Sequence, residues 1–198
     1  MPYTVDIRQI QAPLKESFRS DPAAAQVVTA ARSAPSDLSD PRHCAVTLPE
    51  YPEVVIRSGL HPAAGGAGDV PCSGDILAAA LAVCEETTVR SVAANMGIEL
   101  ESVETDVRIH WDFRGTMGVD RDVPVGATSV EMRTRVRLNE GVDPKRAERL
   151  LASAERYCST LQTLRSGVRV ASDFTLVGDE ASGSPPEGLA GQTVDGQG

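Results

Sequence analysis

The chain has 198 residues, 41% of them hydrophobic and 24% charged, with a formal net charge of −9. That length supports one domain with appendages and a real core, and the composition is that of a globular protein. The acidity argues against a nucleic-acid surface or an anionic membrane as partner, because both reward clustered cations.

The longest apolar run, Ile76–Cys84, has nine residues, whereas a membrane helix needs about 20. The opening residues alternate polar and apolar and carry no signal-peptide hydrophobic region. A cytoplasmic protein is expected. Arginine outnumbers lysine heavily, with only Lys15 and Lys145 present. The four cysteines, Cys44, Cys72, Cys84 and Cys158, include no CxxC pair, and no two histidines have metal-ligand spacing. Neither a structural disulfide framework nor a zinc site is indicated.

In chain order, residues 3–11 put Val5 and Ile7 on one face and predict a strand closed by Pro13. Residues 26–31 predict a second strand, and Ser33–Asp40 a loop. His43–Leu48 and Glu53–Arg57 read as short strands, with Pro49 and Pro52 interrupting the chain between them. Residues 61–71 form a Gly-rich connector. Its GGAG run lacks the GK[ST] ending of a phosphate loop.

The clearest helix starts at Ser73, read as its N-cap, with Asp75 in the first turn where the helix dipole favours an anion. Its stripe is Leu77, Ala80, Leu81, Cys84, Thr88, Ser91, Val92 and Asn95, and Gly97 ends it. Such a helix is roughly 36 Å long, and its small residues predict burial in the middle of the fold. Val103–Phe113 alternates as a strand, with Trp111 expected in the core. Thr128–Leu138 alternates likewise, turning Glu131, Arg133, Arg135 and Arg137 to solvent or to an acidic partner surface. Asp143-Pro144 opens a helix ending near Cys158, Ser159–Arg165 reads as another turn, and Val168–Leu176 as a last strand. Strands, helix, strands, helix, strand is an α+β order with mainly antiparallel sheets. Residues 1–177 are expected to be one domain, with N-terminal strands in 1–60. Residues 178–198, rich in Gly, Ser, Pro and acidic side chains, are expected to be a disordered tail.

Two cysteines are the chemical candidates. Cys84 lies in mid-helix on the apolar stripe, where a thiol is either an inert small hydrophobe or, beside a cation, a nucleophile. Cys158 lies at a helix end and is either a packing residue or a resolving thiol. Cys72 sits by a helix start, which lowers thiol pKa values, and Cys44 alternates with Val46 as a structural strand residue.

The run PCSGDILAAALAVCEETTVRSVAANMGIELESVETDV resembles the core of the OsmC/organic-hydroperoxide-resistance superfamily. DPKRAERLLASAERYCSTLQTLRSGVRV resembles that family's second helix, second cysteine and final strand. The likeness spans residues 55–177 and is that of a divergent branch. It implies an OsmC-like fold, antiparallel sheets around a long central helix, in an intertwined homodimer with active sites at the interface. It also implies a thiol peroxidase that reduces organic hydroperoxides and needs no cofactor or metal. Cys84 matches the peroxidatic thiol and Cys158 the resolving thiol, with a lipoyl-type dithiol as reductant. One position departs from the pattern: where the hydroperoxide branch has a helix-starting Glu that holds a catalytic Arg, this chain has Gly74. Asp75, Glu85 and Glu86 are the nearby carboxylates, and Arg19, Arg32 and Arg57 the candidate cations. The alternatives are a dimeric binding module with idle thiols and a redox sensor without turnover. A guanidinium at Cys84 with Cys158 close favours the enzyme. A Cys84 walled in by Ala and Leu favours the binding module.

Overall fold

Asp6 accepts hydrogen bonds from the amides of Arg8 and Gln9 and so starts a helix, α1 (Ile7–Ser20), where a strand was expected. A capping carboxylate satisfies donors that a strand would leave to a neighbour. The period-2 alternation misled because Ile7, Ile10, Leu14 and Phe18 also repeat at helical spacing. The structure is a computed structural model describing residues 3–176. The expected tail at 178–198 lies outside the described residues. The chain divides into two units, Met1–Gly167 and Val168–Gly198.

After a short 3-10 turn, Pro22–Ala25, the strand expected at 26–31 does not form. Val27 and Val28 are exposed there and no strand runs beside them among the described residues. Strand structure begins with β1 (Arg32–Ser33), which pairs antiparallel with β2 (His43–Leu48). β2 pairs in turn with β3 (Tyr51–Gly59). Pro52 lies inside β3 rather than before it.

The His43 ring bridges two loops onto this sheet, lying 2.9 Å from both Asp40 and Asp69. Hydrogen bonds to Asp69 and then to Asp40 raise its pKa; the bond from His43 holds the Asp69 carboxyl below its ordinary range, and bonds from Arg42 and then His43 do the same for Asp40.

The long helix is α2 (Ser73–Met96). Its N-cap is Cys72, one residue before the expected Ser73, and the Cys72 amide donates to Asp75 Oδ2 at 2.9 Å. Gly97 ends it at φ 64°, a left-handed conformation that only glycine adopts at little cost. The buried stripe is Leu81, Glu85, Val89 and Ala93. It is rotated from the expected one, and the helix is not enclosed: Ala79, Ala80, Val83 and Thr87 are exposed in the single chain. Among the described residues α1 packs against α2, and so do two strands and two helices that follow it.

Those elements begin with β4 (Leu100–His110), followed by the short α3 (Phe113–Thr116) and β5 (Ser129–Leu138), which pairs antiparallel with β4. Val107 faces Met132 and Val103 faces Val136 across the pair. The arginines of β5 meet acids of their own sheet: Arg135 bonds Glu104 and Asp106, and Arg137 approaches Glu101. No external acidic surface is needed to explain them. Trp111 lies beyond β4 and is 38% exposed, not a core residue as expected.

α4 (Pro144–Tyr157) starts where Asp143 caps the Arg146 amide. α5 (Ser159–Ser166) follows after one non-helical residue, Cys158. Two small cores result. Leu81, Cys158 and Leu161 pack with Cys84, Val107 and Met132, while Ala93, Ile98 and Leu150 pack with Val92, Leu100 and Leu138. Residues 168–176 form neither helix nor strand, so the expected last strand is absent. A strand needs an edge to pair with, and its own unit holds no other strand among the described residues. Gln11 ties α1 to α2 through Ser91 and Asn95, and Tyr3 donates to the Ile98 carbonyl at 2.6 Å.

Two outcomes test this packing. Leu150→Ala is expected to lower unfolding stability by about 2–5 kcal/mol, read by denaturant titration. The His43 clamp is complete below the ordinary histidine pKa and is lost as pH rises through its raised folded value. At low ionic strength the melting temperature should therefore fall over that interval. His43→Asn should flatten the fall.

Candidate active site

Cys84 and Cys158 meet. Cys84 sits in mid-α2 and Cys158 at the corner between α4 and α5; their side chains pack in one core cluster, and each is among the groups that shift the other's pKa. Three local features make the corner. The Cys158 amide closes α4 on the Ala154 carbonyl, its own carbonyl accepts from Gln162 to open α5, and its backbone is extended between the two. A corner of this kind puts the first free amides of α5 against whatever packs beside them.

What packs there is the Cys84 sulfur. The Thr160 amide donates to Cys84 Sγ at 3.5 Å, and Ser159 Oγ lies at the same distance. Burial raises the Cys84 pKa. Hydrogen bonds from Ser159, from the Thr160 side chain and amide, and from Cys158 together outweigh that rise, so that the thiol titrates at about 7. A thiol at a helix N-terminus is expected to be acidic for this reason.

Cys158 is the opposite case. It is fully buried, and desolvation pushes its pKa up to about 12, a bond from the Leu161 amide opposing and the contacts to Cys84 and Glu85 adding to the rise. The pair therefore holds one acidic thiol and one that keeps its proton.

The remaining sequence candidates lie elsewhere or face differently. No arginine is among the groups that set the Cys84 pKa. Arg19 pairs with Glu16 on α1. Arg32 is exposed in β1. Arg57 is exposed in β3, beside the cavity that holds His43 and Asp69. Asp75 caps α2. Glu85 is buried and is among the groups that raise the Cys158 pKa, not among those that set the Cys84 pKa. At Gly74 a Cβ would come within 3.3 Å of the Trp111 indole, so a side chain there would need the indole to shift by a few tenths of an ångström. Cys72 lines a small cavity with Trp111 and Phe113, and Cys44 is exposed on β2 rather than packed. Among the described residues no three His, Cys, Asp or Glu side chains converge to hold a metal ion, and no helix is long and apolar enough to cross a membrane.

Ser159 and Thr160 were not singled out by the sequence. Their signal was present in the dipeptide after Cys158, at the start of a predicted turn.

The central helix with its sheet and the two-cysteine corner define an α+β thiol protein. The OsmC-like protein family matches residues 66–173, and the chain belongs to it. Its fold is similar to that of an OsmC-like protein of unknown function from Vibrio cholerae, with a TM-score of 0.56 at 14% identity over 70% of this chain and 94% of that one. It is also similar to an OsmC-like protein from Mycoplasma pneumoniae, with a TM-score of 0.56 at 12% identity over 72% and 90%. An organic hydroperoxide resistance protein OsmC from Legionella pneumophila gives a TM-score of 0.51 at 20% identity over 70% and 90%. No curated protein matches the sequence.

Alkylation of Cys84 should follow pH with a midpoint near 7. In Ser159→Ala the midpoint should move up by as much as about one pH unit, the worth of one hydrogen bond to a charged sulfur. A midpoint in the ordinary thiol range in the unmodified protein contradicts the geometry.

Proposed function

We propose that this protein is a thiol-dependent peroxidase that reduces organic hydroperoxides in defence against oxidative stress. The observation that carries the reading is the contact between an acidic Cys84 and a protonated Cys158 brought together by α2 and α5. Membership of the OsmC-like family and the fold shared with an organic hydroperoxide resistance protein support it.

In this reading the Cys84 thiolate attacks the outer oxygen of ROOH. The O–O bond breaks, the alkoxide leaves and takes a proton as the alcohol, and Cys84 becomes a sulfenic acid. Cys158 then displaces water to form the disulfide. A small dithiol, of lipoyl type in the implied cycle, restores both thiols by exchange. The catalytic residues are Cys84 and Cys158. The first turn of α5 takes the part assigned to a guanidinium. None of the chemistry calls for a metal or an organic cofactor.

The working form is a homodimer. The exposed small and apolar residues Ala79, Ala80 and Val83 on α2, with Tyr51, Val54 and Val55 on β3, support a second copy covering them. Four free cysteines fit a reducing cytoplasm. That no arginine of the described residues is among the groups that set the Cys84 pKa favours one other reading, a redox sensor that forms the disulfide once and does not turn over.

Treatment with cumene hydroperoxide should remove two hydrogens from the mass and link Cys84 to Cys158. Cys84→Ser should abolish both the link and peroxide consumption. Repeated turnover with a dithiol separates enzyme from sensor. A Cys84→Ser protein that consumes the peroxide at the unmodified rate overturns the proposal.

A further inference from the structure

Glu85 has no evident packing reason to be where it is. It stands in the middle of the buried stripe of α2, between Leu81 and Val89, and is 4% exposed. Its Oε2 has no hydrogen-bond partner among the described residues. A buried carboxylate left partly unsatisfied opposes folding, and an apolar side chain of similar size would pack the same place at no such cost. Leu81, one turn earlier on the same stripe, packs with Cys158 and Leu161, and Glu85 and Leu161 line one cavity, so the carboxylate lies on the Cys158 side of α2, where it helps raise that thiol's pKa.

The proposed cycle needs something at that thiol. Cys158 must lose its proton as its sulfur attacks, yet burial holds the proton in place up to about 12. No other carboxylate or imidazole is among the groups that set its pKa.

We propose that Glu85 is the general base of the resolving step, taking the Cys158 thiol proton as that sulfur attacks the Cys84 sulfenic acid. This rests on the peroxidase reading above. The S–S bond forms as the S–O bond of the sulfenic acid breaks. Cys84 sulfur is reduced by one electron equivalent and Cys158 sulfur is oxidised by one, so no outside oxidant enters. The departing hydroxide collects the proton from the Glu85 carboxylic acid and leaves as water, and the carboxylate is regenerated. Glu85 also lines an open cavity of about 820 Å³, with Val89, Met132, Leu161 and Arg165 among its walls. That cavity gives the water a way out and gives small solutes a way in.

The test follows one turnover of the full-length protein with cumene hydroperoxide, trapping sulfenic acid with dimedone and measuring the disulfide separately by mass. In Glu85→Gln the sulfenic acid should form at the unmodified rate and accumulate, while the disulfide closes about a hundredfold more slowly, the usual worth of a positioned base. In Glu85→Ala, added formate should enter the cavity and speed closure, which a merely structural role would not allow. Closure at the unmodified rate in Glu85→Gln, equal slowing of both steps, or no response of Glu85→Ala to formate overturns the assignment. If the unmodified protein forms no Cys84 sulfenic acid at all, the peroxidase reading fails instead.

Discussion

The acidity of Cys84 depends on the first turn of an eight-residue helix, whose Thr160 amide donates to that sulfur. Helix α5 opens against Cys84, and its first turn supplies the Ser159 hydroxyl and the Thr160 amide and hydroxyl. These donors outweigh a desolvation that would otherwise make the thiol less acidic. A helix terminus and a guanidinium are interchangeable in sign but not in reach. The terminus is fixed by backbone geometry, whereas an arginine must be held by a partner such as a carboxylate. At the start of α2 this chain has Gly74 against the Trp111 indole rather than such a carboxylate.

The same corner explains the asymmetry of the pair. Cys158 is at once the C-cap of one helix and the N-cap of the next, and its side chain packs in the core with Leu81 and Leu161. Burial that suits packing also locks its proton. A buried carboxylate beside a locked thiol is costly for stability and useful for proton transfer. Local departures from good packing concentrate at functional sites for this reason.

Much of this was legible in the sequence where one local rule acted alone. The small-residue run between an acidic first turn and Gly97 gave α2 to within a residue, and the alternation of Val103–Ile109 and Val130–Leu138 gave the paired strands. The N-terminus failed because Ile7, Ile10, Leu14 and Phe18 fit a helix better than Val5 and Ile7 fit a strand, once Asp6 is read as a cap. The final strand failed because 168–176 carry strand-forming residues without an edge to receive them. The cysteines stood out by type and context, but their meeting is a tertiary fact. So is the rotation of the α2 stripe that buries Glu85, since the adjacent pair Glu85-Glu86 does not tell which of the two faces the core until their neighbours are known.

The most direct test is an ultraviolet titration of thiolate absorbance in the reduced protein, with Cys84→Ser as the reference. The account predicts one ionisation near pH 7 that disappears in the variant. A titration in which the unmodified protein and the variant overlay through neutral pH, ionising only in the ordinary thiol range, contradicts it.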